Sequence, residues 1–596
     1  MDERREVLFC DLQNQLEPKS AIADKFDYDK WRGITYETKD FKGSMVAALG
    51  ESTVPSLTLN PNLKGWYAVY IGINPSYGGP HSIKVRTSSE EYDTFLTPAP
   101  GVILWTIDEF FWKYVDMTDE SLIFSHPENF VEKQDTYLAM VRFVPLSDEE
   151  VEAIKKDREQ TETRTLYASD DVDNMVIQGP KDLDCFVERV ESYRNTDIKI
   201  LSMEKFHNLK YTSGQDVSMA REYVRNKSKT CRFFKENGLD PHKVMIEKGH
   251  EIGLQMFLSM RMGMWAFEPP YDEEFICEFY EDHPELRMKD RDGVEVSRLS
   301  YAYPETRKYM ADLFSEMAEY DCDGVEFLFH RGYPYILFEE PFLEIIREKY
   351  GVDARELSNN DPRIIKEKCR IMTDFIIEVK ERLNKERAER GQKPLKFAAH
   401  VLKTVAGSKF VGLDIKEWVD REIVDEIICY PLVHYEKLHD DMFCDAEKTI
   451  VDIEKYAKGV IEGEEEFKWG FYDACRGVNG RDYDIKEDKE EDIRELVEIF
   501  KGKKANLYID LMRRDMEVGI LRDRVTALYD WGVEGIALWD TESRMKIGRN
   551  RTLLSKLGHK DEVRNFGIRD GKWYRNHNII KLGAHRMDRY HPNWGG

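Results

Sequence analysis

The spacing of hydrophobic and polar residues divides the chain near residue 145. Between residues 54 and 146, short β-rich runs recur every ten to twenty residues: SLTLN, GWYAVYIGI, SIKVRT, EFFWKYVDM, SLIFS and TYLAMVRFVPL. Pro, Gly and Asn sit between them, a pattern that predicts an antiparallel sandwich. A charged stretch, DEEVEAIKKDREQTETR (148–164), then reads as a solvated helix and linker. From Thr165 the period changes. Apolar strand candidates at 165–169, 198–203, 252–260, 324–329, 396–402, 425–432, 506–512 and 535–540 alternate with long amphipathic stretches such as 216–237, 304–320, 361–389, 444–460, 488–501 and 519–531. Alternating strands and helices give a parallel sheet with helices outside, and eight such units predict a (β/α)8 barrel. One more run, FKWGFYDA (467–474), makes nine candidates for eight places and competes with 506–512 for strand seven. The resulting organisation is an α/β chain with a β-sandwich over 1–150, a linker over 151–164 and a TIM barrel over 165–560. A carboxyl-terminal extension, 561–596, packs on the barrel or the sandwich. An open doubly wound sheet is the rival fold, but no GxGxxG turn follows the first strand and no GxxxxGK[ST] occurs.

Composition narrows the functional classes. Of 596 residues, 114 are acidic and 88 basic, a net charge of −26, which repels phosphate backbones and argues against general nucleic-acid binding. No run approaches the length of a membrane span, and the opening MDERREVLFC carries charges where an export signal needs apolar residues. Nine cysteines without a CxxC pair read as free thiols, so a reducing, cytoplasmic setting is expected, with no cofactor and no structural zinc. The acidic surface fits a homo-oligomer as well as a monomer.

In a barrel of this kind the chemistry lies at the carboxyl ends of the strands. Those ends carry Ser169, Asp170 and Asp171; Glu204 and Lys205; Ser259, Arg261 and then Trp265; Glu326, His330 and Arg331; His400; Tyr430 and His434; Asp510 and Arg513; and Asp540 with Glu542. Carboxylates and guanidinium groups fix hydroxyls by multiple hydrogen bonds, and aromatic faces stack on sugar rings, so the set suits a polyhydroxylated substrate. Glycosidic cleavage needs two carboxyl groups flanking the scissile bond. Glu326 and Asp540 are the leading pair, because an acid within or at the end of an apolar strand is expensive to leave there. Glu326 is the candidate acid and Asp540 the candidate base or nucleophile. Asp170, Asp171, Arg261, Trp265, His330, Arg331, His400, Tyr430 and Asp510 are the candidate sugar ligands. Each could equally cap a helix or staple a loop. Trp66, Tyr67, Tyr70, Phe111 and Trp112 of the sandwich could form a sugar platform, though alternating strand aromatics more often fill a core.

The run RLSYAYPETRKYMADLFSEMAEYDCDGVEFLFHRGYPY (298–335) resembles the bacterial glycosyl-hydrolase-like barrel proteins. Their fourth barrel strand typically reads DG-hydrophobic-(E/H)-hydrophobic-D-aromatic-x-R. Asp323, Gly324, Glu326, Phe329 and Arg331 match, whereas Leu328 stands where the group often has Asp. Segments 257–275, 350–383 and 527–541 are similar too. The resemblance implies a carbohydrate-active barrel behind an amino-terminal sandwich. Two alternatives stand beside a glycoside hydrolase. One is a non-catalytic carbohydrate-binding protein on a degenerate barrel, which Leu328 suggests. The other is a metal-dependent hydrolase or lyase with Asp170, Asp171, His400 and Asp510 as ligands.

Overall fold

The computed structural model describes residues 5–75, 81–98, 105–127, 134–172, 175–176, 179–180, 182–205, 222–263, 278–330, 333–430, 489–511, 518–539, 541–566 and 573–587. Eight parallel strands close into a barrel: Leu166–Asp170, Ile198–Glu204, Gln255–Arg261, Gly324–Leu328, Lys396–Leu402, Glu426–Tyr430, Asn506–Asp510 and Gly535–Leu538. Closure is direct, with Leu166 opposite Ile536 and Tyr167 opposite Ala537. Each overlaps one of the runs read as strands, and the first three end one residue later than expected. Strand seven is the 506–512 candidate, while 467–474 lies outside the described residues.

Alternation along each strand sorts its side chains between two cores. Outward residues such as Val325, Phe327, Phe397, Ala399, Ile427, Cys429, Ile536 and Leu538 pack against the surrounding helices in one large apolar cluster. Inward residues Tyr167, Ile200, Phe257, Ala398, Ile428, Tyr508 and Ala537 form a second cluster inside the barrel. Every strand but the fourth contributes to it. Strand four instead turns Glu326 inward, toward Ser202 and His400. The glycine of the Asp323–Gly324 signature has a steric reason. A Cβ on Gly324 would meet the Phe257 ring at 2.5 Å and the Lys396 carbonyl at 2.8 Å, so this interior position admits no side chain. Asp323 accepts from the Met256 amide at 2.8 Å, tying the start of strand four to strand three.

The amino-terminal unit has two sheets. Leu57, Leu59, Ile83, Val85, Leu122 and Phe124 of a five-stranded sheet share a core with Val69, Ile71, Ile73, Phe110, Trp112, Val141 and Phe143 of a nine-stranded one. Tyr67 and Trp112 belong to this core, which settles the platform question against them. The larger sheet is completed from the far end of the chain. Tyr574–Leu582 pairs with Thr106–Asp116 on one side and Trp31–Thr38 on the other. The sandwich thus embraces both ends of the sequence, and the barrel is inserted between them. Helix Asp148–Glu159 follows the last amino-terminal strand and opens on a Ser147–Glu150 capping box.

Candidate functional site at the barrel mouth

The inward residues at and just beyond the strand ends make a compact polar and aromatic centre. Oε1 of Glu326 lies 3.0 Å from Nδ1 of His400, and the Ser202 hydroxyl donates to Oε2. On the far edge of the imidazole, Nε2 faces Oδ2 of Asp510 at 3.7 Å. Strands two, four, five and seven are therefore linked through one buried unit, with Glu326, His400 and Asp510 all fully enclosed. The hydrogen bond between Glu326 and Nδ1 sets the orientation of the ring and turns its Nε2 edge to Asp510. Beside Glu326, the Tyr167 phenol is pushed well above its ordinary range by burial and by the Glu326 charge, so it stays protonated.

Aromatic rings wall this unit. The His330 ring stands 4.1 Å from His400, 4.3 Å from Tyr430 and 4.6 Å from Trp539, centre to centre. The His330 and Phe329 amides both donate to the His400 carbonyl at 2.9 Å, which locks strand four's end to strand five. Trp539 is the member missed by the sequence reading. Its signal was available, since alternation from Gly535 through Ala537 turns it inward. Ser202 is a further member, two residues inside the strand end at Glu204 and so outside the strand-end set.

A second group lines the mouth over strands one to three. Arg261 donates from Nη2 to Asp171 at 2.9 Å and from Nε to Glu204 at 2.9 Å. It binds the three strand ends together and carries one positive charge against two negative ones. Asp170 turns away from this group. Its carboxylate takes a bidentate grip from Arg189 of helix Asp184–Glu191, with Nε at 2.6 Å, and the Tyr193 hydroxyl lies 3.4 Å away. Among the expected site residues, Glu326, His330, His400, Tyr430 and Asp510 thus come together. Asp171 and Arg261 form a neighbouring cluster, and Asp170 anchors a helix. Trp265, Arg331, His434, Arg513, Asp540 and the side chain of Glu542 lie outside the described residues.

The opposite end of the barrel has its own charged cluster, beside a cavity of about 500 Å³ lined by Thr165, Glu534 and His559 among others. His559 meets Asp197 through Nδ1 at 2.8 Å and Asp157 through Nε2 at 2.5 Å, and Lys556 reaches Asp157 at 2.7 Å. Asp157, His559 and Glu562 could converge on a cation. The imidazole already gives both nitrogens to carboxylates and an ammonium shares Asp157, so the donor set fits an ion-pair staple better than a metal. Burial alone would lower the His559 pKa, but the two carboxylate hydrogen bonds outweigh it and hold it up at about 9. A raised folded-state value stabilises fully below the unfolded value of about 6.5 and is lost as pH rises through about 9. Melting temperature should therefore fall across that window, by an amount equivalent to roughly 1–2 kcal/mol once solvent screening is allowed for. His559→Gln should flatten the slope. An equal slope in the variant would assign the effect elsewhere.

Eight parallel strands thus gather carboxylates, imidazoles and aromatic rings inside one end of a closed barrel. Residues 201–442 match the family model described as Glycosyl hydrolase-like 10. The matched span carries Ser202, Glu204, Arg261, Glu326, His330, His400 and Tyr430, and agrees with the resemblance seen at strand four. No curated protein sequence matches the chain. Solved structures to which the chain is similar include the glycoside hydrolase domain of PgaB (BpsB) from Bordetella bronchiseptica, 11% identical with a TM-score of 0.38, covering 65% of this chain and 98% of that one. A noncanonic maltogenic alpha-amylase, AmyB from Thermotoga neapolitana, is 12% identical with a TM-score of 0.32, covering 67% and 77%. Malate synthase from Haloferax volcanii is 9% identical with a TM-score of 0.31, covering 66% and 69%. At these scores the likeness says nothing about activity. Among the described residues no helix is long and apolar enough to cross a membrane.

Proposed function

We propose that the chain hydrolyses O-glycosidic bonds of an oligosaccharide or glycoconjugate at the barrel mouth. The observation that carries this reading is the Glu326–His400–Asp510 unit, two carboxylates joined through one imidazole at the centre of a glycosyl-hydrolase-like barrel. Glu326 is enclosed and both of its oxygens are engaged, so in this proposal it works through His400. The proton for the leaving oxygen comes from the His400–Asp510 edge, with Glu326 balancing the imidazolium charge. Asp540, next in the chain after Trp539, is kept as base or nucleophile. His330, Tyr430 and Trp539 supply ring surfaces, and Asp171 with Arg261 supplies acceptors and donors for hydroxyls. Because Arg261 is already shared by two carboxylates, the substrate is a neutral sugar in preference to a polyanionic one.

A cytoplasmic location is part of the proposal, supported by the six cysteines among the described residues that are free thiols. Carbohydrate binding without turnover is the second reading. It is favoured by Leu328, a buried apolar residue opposite Arg261 and His400 where related barrels often carry Asp. Reducing-sugar release across a panel of neutral glycans separates the two. The hydrolase reading expects release by the wild type, and losses of about 100-fold or more in Glu326→Gln and Asp540→Asn. Full hydrolysis in both variants would remove the residue assignment. Binding detected by calorimetry with no release from any glycan would favour the second reading.

A further inference from the structure

Two of the contacts between the sandwich and the barrel lie beside the mouth. The first is an ion pair. Lys84, on sandwich strand Ile83–Thr87, reaches Glu188 of helix Asp184–Glu191 at 2.6 Å, and both side chains are less than one-fifth exposed. Glu188 is followed by Arg189, whose guanidinium grips Asp170 at the end of strand one. Asp170 is followed by Asp171, which Arg261 of strand three ties to Glu204 of strand two. A continuous series of charge-assisted contacts thus runs from the sandwich to three strand ends.

The second contact is made by the main chain. Edge strand Thr94–Leu96 continues into Thr97, whose amide donates to the Lys546 carbonyl at 2.7 Å and whose carbonyl accepts from Gly548 at 3.0 Å. Lys546 ends the short helix Thr541–Lys546 that follows strand eight, and its ammonium lies 4.8 Å over the Phe95 ring. Burial, with Arg189 nearby, pushes the Lys546 pKa down to about 7.

We infer that the sandwich is a brace for the strand-one and strand-eight side of the mouth, with Lys84 and Glu188 as positioning residues. The role in turnover rests on the hydrolase reading; the mechanical coupling does not. An exposed ion pair would contribute little, but one shielded on both sides leaves an uncompensated charge when either partner is changed. That charge lies one residue from Arg189, so its relaxation moves the group that holds Asp170.

Hydrogen exchange and glycoside turnover, measured together on Lys84→Glu, Glu188→Lys and the double exchange, test the brace. Each single reversal should speed amide exchange at 166–171 and 541–548 by about tenfold and lower kcat/KM by a similar factor, in the range for coupled sites. The double exchange should restore both to within about threefold of the wild type. If a reversal fails to fold, Glu188→Gln replaces it, with an expected change of about threefold in the same amides. Wild-type exchange at 166–171 in the single variants, or no restoration in the double, overturns the inference. A chain that hydrolyses nothing yet shows the expected exchange pattern loses the hydrolase reading and keeps the brace.

Discussion

Replacing His400 by glutamine should lower kcat on a responsive glycoside by about 10²–10⁴-fold, the range for losing a positioned proton donor or acceptor. Glutamine can keep a hydrogen bond to Glu326, but it cannot carry the proton that the proposed reaction hands to the leaving oxygen. The substitution is made within a wall of rings, with His330 at 4.1 Å and Trp539 at 5.4 Å, so the site should stay packed. KM should change little, because the side chain is enclosed and its loss removes proton transfer more than binding. Steady-state kinetics with circular dichroism check this. A kcat within about threefold of the wild type would remove His400 from the chemistry and leave it a core residue.

The second large effect is on stability. Arg189→Leu strands the Asp170 carboxylate in a site with no exposed side-chain surface, and losing one partner of a buried pair costs about 3–5 kcal/mol. Replacing both, as Asp170→Leu with Arg189→Leu, should recover most of the loss, because the pair repays its own desolvation only narrowly. Calorimetric melting of the two singles and the double gives the coupling directly. Equal losses in the Arg189 single and in the double would mean that the helix contact, and not the charge pairing, holds strand one. Asp170→Asn adds a separate outcome. Lower melting with unchanged KM fits the anchoring role, whereas a raised KM with unchanged melting would restore it as a sugar ligand.

The barrel was legible because its strands are short β-rich runs separated by helical periods, and burial on both faces enforces that pattern. The site was legible to the extent that strand ends are. His330, His400, Tyr430, Asp510 and Glu326 came from listing polar residues there. The partners of those residues were not legible. Nothing in the sequence assigns Asp170 to an arginine nineteen positions later on a helix, or Arg261 to the ends of strands one and two. Trp539 is not a charged or hydroxylated strand-end residue, although the alternation of its strand points it inward. The strand Tyr574–Leu582 was read only as an extension. It is mostly polar and only His577 and Ile579 are buried, so its place is set by backbone pairing with Thr106–Asp116 and Trp31–Thr38, which leaves little hydrophobic trace.

Incubation of the responsive glycan in oxygen-18 water, read by mass spectrometry, tests the central claim most directly. Hydrolysis at the mouth predicts incorporation of the label into the newly formed reducing end, at a rate that falls about 100-fold or more in Glu326→Gln. Glycan binding without label in any product would contradict it, and so would cleavage that leaves the label in the water.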